Sequence, residues 1–141
     1  MVVAVLVINL IWFSMAFNVF AIRHKVFAKL VVPRDQRDTP VFNILAESGR
    51  FLGGMNFAFA LCNLLVLLNL GEFPTETQRA ILLLVFGVAH ATQFIFNVPV
   101  ALENQRTGGG VWQVKGTMLF IFVTDFLMMA LNLIAAALLV F

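Results

Sequence analysis

Four long apolar runs, separated by three short polar segments, organise the chain from end to end. A helix needs about 20 mainly apolar residues, at 1.5 Å of rise each, to cross a bilayer, and each run approaches or exceeds that length. The pattern predicts helices over about 2–22, 44–70, 76–102 and 117–141. The implied fold is all-α: an integral membrane four-helix bundle of antiparallel up-down topology, with residues 1–141 forming a single transmembrane domain. Arg23, Lys25, Lys29, Arg34, Asp35, Arg37 and Asp38 close the first run. Pro33 and Pro40 keep that connection from continuing as one helix, because proline lacks the amide donor and clashes with the preceding turn. The second run stops at Gly71, and Thr75-x-x-Gln78 after Pro74 reads as a capping box that starts the third. So short a connection predicts that the second and third spans are antiparallel neighbours. Pro99 is expected to kink or end the third span, and a flexible stretch through Gly108, Gly109, Gly110 and Trp112 leads to Lys115 and the fourth. No internal repeat or low-complexity segment is present.

Composition places the chain in a bilayer: 62% of residues are hydrophobic and 11% charged. Sixteen phenylalanines and no tyrosine suit hydrocarbon-facing or helix-packing surfaces better than an aqueous interface. The net charge of +2 is too small to imply a nucleic-acid partner. Cys62, the single cysteine, allows neither an intrachain disulfide nor a thiol pair and is expected to serve packing. Met1 leads directly into apolar sequence, without a basic n-region or small-residue cleavage site, so the first run is expected to be a retained span. The first and third connections hold Arg23, Lys25, Lys29, Arg34, Arg37, Arg106 and Lys115, and the second holds Arg79. The positive-inside rule then places both termini on the non-cytoplasmic side. Trp112 is positioned to anchor the inner end of the fourth span. With no retention signal and no soluble tail, a bacterial inner membrane is expected rather than the endoplasmic reticulum.

Polar groups within spans carry the functional information, because an ionisable side chain at mid-bilayer costs several kcal/mol unless paired or hydrated. In the second span Gly49, Gly53, Asn56, Ala60 and Asn63 alternate at spacings of four and three, which draws a small and polar stripe along one face. That face is expected to look into the bundle, either as a Gly-x-x-x-Gly helix contact glued by asparagines or as a binding surface. Glu47 and Arg50, one turn apart near the inner end, can form a structural ion pair. The same two residues could instead grip the polar head of a lipid-like molecule, with Arg50 as the fork for phosphate or carboxylate. In the third span Gly87, His90, Gln93 and Asn97 share a broad face, with His90 near mid-span. Asp125 lies about 12 Å along the fourth span, near the depth of His90 and Asn56, so these three can meet. An Asp beside a His in a dry bundle suits general acid–base chemistry or a proton relay, and it equally describes a structural polar network.

The candidate ligand-binding set is therefore Glu47, Arg50, Asn56, His90, Gln93, Asn97 and Asp125, with His90 and Asp125 also the catalytic candidates. His24, in the basic connection, is expected to be solvated. Asn9 and Asn18 are nine positions apart, on nearly opposite faces of the first span, and cannot both line one cavity. Met128, Met129 and the phenylalanines of the fourth span are expected to face lipid or pack the core. Two histidines at different depths do not make a haem site, and no clustered ligand set resembles a metal site, so no cofactor is expected.

The run Glu47-Ser48-Gly49-Arg50-Phe51-Leu52-Gly53-Gly54, followed by Ala89-His90 in the third span, resembles a group of small four-helix membrane proteins. That group comprises the ergosterol-biosynthesis scaffold family and uncharacterised bacterial relatives. Arg50 and His90 match its positions, whereas Gln93 and Phe94 follow His90 in place of the family's acidic residue. The resemblance implies a non-catalytic protein that gathers or assists enzymes acting on sterol-like or isoprenoid lipids. Glutathione-transferase-like membrane enzymes share only length and helix count, since the second span lacks their Glu-Arg and Asn-rich signature. Small multidrug exporters need a glutamate buried in the first span, and none is there.

Three function classes remain open. The leading one is a non-enzymatic lipophilic-ligand-binding element, or an accessory or scaffold subunit of a membrane complex. The second is a small membrane enzyme of isomerase or lyase type, using His90 and Asp125 as acid–base partners on a lipophilic substrate. The third is proton-coupled transport. Expected partners are membrane lipids, a lipophilic small molecule, and a membrane protein or a second copy of the chain.

Overall fold

The computed structural model describes residues 1–141 and contains helices and connecting turns without strands. We number the helices α1 (Val2–Phe17), α2 (His24–Val31), α3 (Pro40–Leu68), α4 (Glu76–Thr107) and α5 (Thr117–Val140). A π-helical turn, Asn18–Ile22, extends α1 to form its full span. The spans built on α1, α3, α4 and α5 are long and apolar enough to cross a membrane.

Local chemistry explains the helix ends. Thr39 caps α3 by accepting from the Phe42 amide at 3.4 Å, and Pro40, whose missing amide would have no partner in the first turn, begins the helix. The expected capping box starts α4: the Gln78 amide donates to Thr75 Oγ1 at 3.2 Å, and the Thr75 amide donates to Gln78 Oε1 at 3.1 Å. Helix α4 does not end at Pro99 but runs through it to Thr107. It stops at Gly108, whose φ of 71° is the left-handed cap conformation that glycine adopts without strain. The first connection also holds more order than expected, because α2 forms within it. Ala28 of α2 packs with Phe42 and Ala46 of α3, while Lys25 and Lys29 remain exposed.

The interior is polar relative to the exterior. Only 23 residues are buried, and Asn9, Asn56, Asn63, His90, Asp125 and Asn132 are among them. Large apolar side chains such as Phe51, Phe96 and Leu68 point outward, an arrangement that suits a hydrocarbon surround. The helices pair unequally: α1 lies closest to α3, and α4 to α5. Glycines permit both approaches. A Cβ on Gly53 would meet Ala21 Cβ at 2.5 Å, and one on Gly87 would meet Leu133 Cδ2 at 2.8 Å. By contrast, α3 and α4, expected to be close neighbours from their short connection, are not a closely packed pair. Large rings fill the space between them, with Phe59 and Phe86 edge-to-face at 6.3 Å.

Candidate functional site

At the centre, α1, α4 and α5 bring together Asn9, Trp12, His90, Asp125 and Asn132. His90 Nδ1 lies 3.2 Å from Asp125 Oδ1, and His90 Nε2 lies 3.3 Å from Asn9 Oδ1. Trp12 Nε1 donates to the same Asp125 Oδ1 at 3.0 Å. Asn9 and Asn132 exchange a reciprocal pair of amide bonds at 2.8 and 2.9 Å, across 123 positions of sequence. Phe13 stacks on the imidazole at 4.6 Å and an interplanar angle of 17°, closing that face from hydrocarbon.

The proton arrangement follows from one fixed acceptor. Asn132 Nδ2 donates to the Met128 carbonyl at 2.8 Å, so the Asn132 amide cannot be reversed without facing two oxygens together. Its Oδ1 must then accept from Asn9 Nδ2, which leaves Asn9 Oδ1 as an acceptor and makes His90 Nε2 a donor. The remaining contact of the cluster runs between His90 Nδ1 and Asp125 Oδ1. Pairing of this kind is how a dry interior can accommodate both residues.

Asp125 also opens on a crevice of about 530 Å³, bounded by α2, α3, α4, α5 and the loop before α5. Its walls are mostly apolar, with Phe27, Leu30 and Val31 contributed by α2 and Phe20 by the π-helical turn. Gln93, Asn97, Trp112 and Gln36 are the other polar lining residues. All hydrogen bonds of Asp125 fall on Oδ1, and Oδ2 makes none. Asn97 Nδ2 donates to the Gln93 carbonyl at 2.7 Å, which fixes the amide and leaves Oδ1 as a buried acceptor with no partner. Trp112 Nε1 is a buried donor with no partner.

The loop that carries Trp112 is held by Asn104. Its Nδ2 donates to the carbonyls of Gly109 at 2.7 Å and Trp112 at 3.0 Å, while its Oδ1 accepts from the Val114 amide at 2.7 Å. Gly110, at a φ of 136°, lets the loop pass over this side chain, since a Cβ there would lie 2.5 Å from Asn104 Nδ2.

The structure therefore joins His90 to Asp125 and sets Gln93, Asn97 and Asp125 along one crevice, but it separates the remaining candidates. Asn56 does not reach the His90–Asp125 pair; its Nδ2 donates to the Leu52 carbonyl at 2.8 Å. Glu47 and Arg50 pair at 3.1 Å on the exposed flank of α3, away from the crevice. His24 is not simply solvated, since its Nε2 lies 3.2 Å from Glu47 Oε1. Trp112 is partly exposed, with its indole nitrogen buried. The stripe of Gly49, Gly53, Asn56, Ala60 and Asn63 is buried, with Gly49 against Phe27 and Gly53 against Ala21.

Sequence reasoning missed Asn9, Trp12, Asn132 and α2. The helical spacing of Phe27, Leu30 and Val31 against Lys25 and Lys29 was a usable sign of an amphipathic helix. Asn132 lies seven residues beyond Asp125, two turns along the same face, which was a usable sign that both point inward. Nothing local marked Trp12. No family model matches the chain, and no curated protein or solved structure shows significant similarity to it.

Proposed function

We propose that this membrane protein binds a lipophilic molecule in the crevice in front of Asp125 and has no catalytic activity of its own. One observation carries the reading: Asn97 and Trp112, whose Oδ1 and Nε1 are buried without protein partners, both line one largely apolar crevice together with Gln93 and Asp125. Each such atom costs about 1–3 kcal/mol, and the polar group of a bound molecule would remove that cost. The volume of about 530 Å³ suits a small-molecule pocket. In this reading the spans form an antiparallel up-down bundle in a bacterial inner membrane, with the basic connections cytoplasmic and both termini outside. A reporter fused after Phe141 that is active only in the cytoplasm should be silent, and activity there would overturn the orientation.

Native mass spectrometry with lipid extraction on gently purified protein tests the binding. A defined lipophile should remain bound to the wild type and be lost from Trp112→Phe. A bare chain would refute the reading, and a retained second polypeptide would replace it with the accessory or scaffold role that the family resemblance implies.

The His90–Asp125 contact favours a second reading, an isomerase or lyase in which Asp125 exchanges a proton with a bound lipophile and His90 supports it from behind. Loss of turnover in a folded His90→Gln variant that still binds the lipophile would select this reading over the first. A proton-transport role requires a pH-dependent flux in proteoliposomes, and unchanged flux in Asp125→Asn would sink it.

A further inference from the structure

Helix α2 presents cations at the edge of the membrane. It follows the first span directly, and its docked face is fixed: the Phe27 ring lies 4.5 Å from that of Phe20, and Ala28 packs with Phe42 and Ala46 of α3. Arg37 pins its far end, Nη2 donating to the Lys29 carbonyl at 2.6 Å and Nε to the Val32 carbonyl at 3.1 Å. Lys25 and Lys29, one turn apart, are thereby held exposed on the flank between Ala28 and Val26. Neither forms an ion pair within the chain. Glu47 is engaged by His24 and Arg50, and Asp35 and Asp38 lie beyond Pro33.

An apolar groove opens beside that flank. Val26 and Leu30 of α2 line a cavity of about 130 Å³ with Met15 and Ala16 of α1 and Phe120 and Ile121 of α5. Helices α1 and α5 approach each other much less closely than α4 and α5 do, which leaves this groove between them. It is smaller than the roughly 300–1,000 Å³ of a pocket that encloses a whole small molecule, so it suits a segment of one hydrocarbon chain. No charged side chain lines it. Thr117 belongs to its wall, and Lys115, two residues earlier and exposed, adds a third cation on the α5 side.

Charge and shape therefore coincide. A chain in the groove brings the head it bears to the level of α2, where an anionic head gains from each nearby lysine. A zwitterionic head carries its own cation and gains less. The bilayer supplies anionic phospholipids already aligned, with chains along the spans and phosphates at its edge. Independently of the crevice reading above, we infer that an anionic phospholipid is bound here, its phosphate held by Lys25 and Lys29 and one acyl chain in the groove between α1 and α5.

The test uses the whole chain in phosphatidylcholine nanodiscs. Trp112→Phe leaves Trp12, in the groove wall, as the one tryptophan, and on the reading above it also empties the neighbouring crevice. Chain-brominated phosphatidylglycerol or phosphatidylcholine is added at equal mole fractions, and the quenching of Trp12 is followed. Phosphatidylglycerol should reach half-maximal quenching at about tenfold lower mole fraction. In the Lys25→Gln/Lys29→Gln double variant the two lipids should agree to within about twofold, with maximal quenching retained. Salt at about 1 M should act in the same way, because the screening length falls to about 3 Å from about 10 Å at 0.1 M. Arg50→Gln removes an exposed cation from the flank of α3 and should keep the tenfold preference. Equal half-maximal fractions before the lysines are replaced, a preference that survives their replacement, or one lost equally in Arg50→Gln would each overturn the site. Failure of both lipids to quench Trp12, expected if a helix of a second copy fills the groove, would overturn it as well.

Discussion

Replacing Asp125 by Asn keeps the shape of the buried cluster and removes its ability to serve two neighbours. Asp125 Oδ1 receives Trp12 Nε1–H at 3.0 Å and lies 3.2 Å from His90 Nδ1. Asn9 holds His90 Nε2 as the donor, so a neutral imidazole has only a lone pair at Nδ1. If the new amide turns its oxygen to the pair, it keeps Trp12 but opposes that lone pair. If it turns its nitrogen there, it satisfies His90 and leaves Trp12 Nε1–H buried and unpartnered. Protonating His90 instead would bury a cation without its counter-ion. Each outcome costs about 1–3 kcal/mol for an unpaired buried group. Trp12→Phe removes the competing donor, so the introduced amide can turn its nitrogen to His90 at no further cost.

The double-mutant cycle should therefore show Asp125→Asn costing about 1–3 kcal/mol in the wild-type background and under about 0.5 kcal/mol in the Trp12→Phe background. The resulting coupling of about 1–2 kcal/mol exceeds the average found for hydrogen bonds between membrane helices, because an orphaned donor is being relieved. Equilibrium unfolding in mixed micelles with increasing SDS, followed by far-ultraviolet circular dichroism, measures each corner. An Asp125→Asn variant as stable as the wild type, or one equally damaged in both backgrounds, would refute the inferred chain of donors and acceptors.

Other consequences are more local. Gly53→Ala should destabilise the protein by about 1–3 kcal/mol, because the new Cβ falls 2.5 Å from Ala21 Cβ and 2.6 Å from its backbone nitrogen, whereas Gly54→Ala, with nothing within 4 Å, should be tolerated. The same unfolding assay compares them, and equal effects would mean that α3 does not pack against the π-helical turn as described. Gly110→Ala forces a side chain into a positive-φ position against Asn104, so it should release Trp112 toward solvent. A red shift of tryptophan emission in a Trp12→Phe background reports this, and Asn104→Ala should reproduce it. Glu47→Gln should change stability by less than about 0.5 kcal/mol, since the Glu47 and Arg50 side chains are 60% and 57% exposed. It should also leave retention of the bound lipophile intact, and loss of that molecule would return the binding site to the flank of α3.

The sequence by itself determined the features that depend on near neighbours. Hydrophobic run length marked the four spans, Thr75 and Gln78 marked the start of α4, and spacing placed Gly49, Gly53, Asn56, Ala60 and Asn63 on one inward face. Such properties follow from helical period and capping chemistry within a few turns. Tertiary structure decided how each helix is rotated and staggered against the others. It made Asn9 the partner of Asn132, brought Trp12 to Asp125, let phenylalanine rings hold α3 from α4, and turned Trp112 into the crevice. An asparagine or tryptophan reads the same in sequence whether it meets lipid, a helix neighbour or a cavity. Only the joint packing of all the helices decides which hydrogen bonds are made and which atoms remain unpartnered.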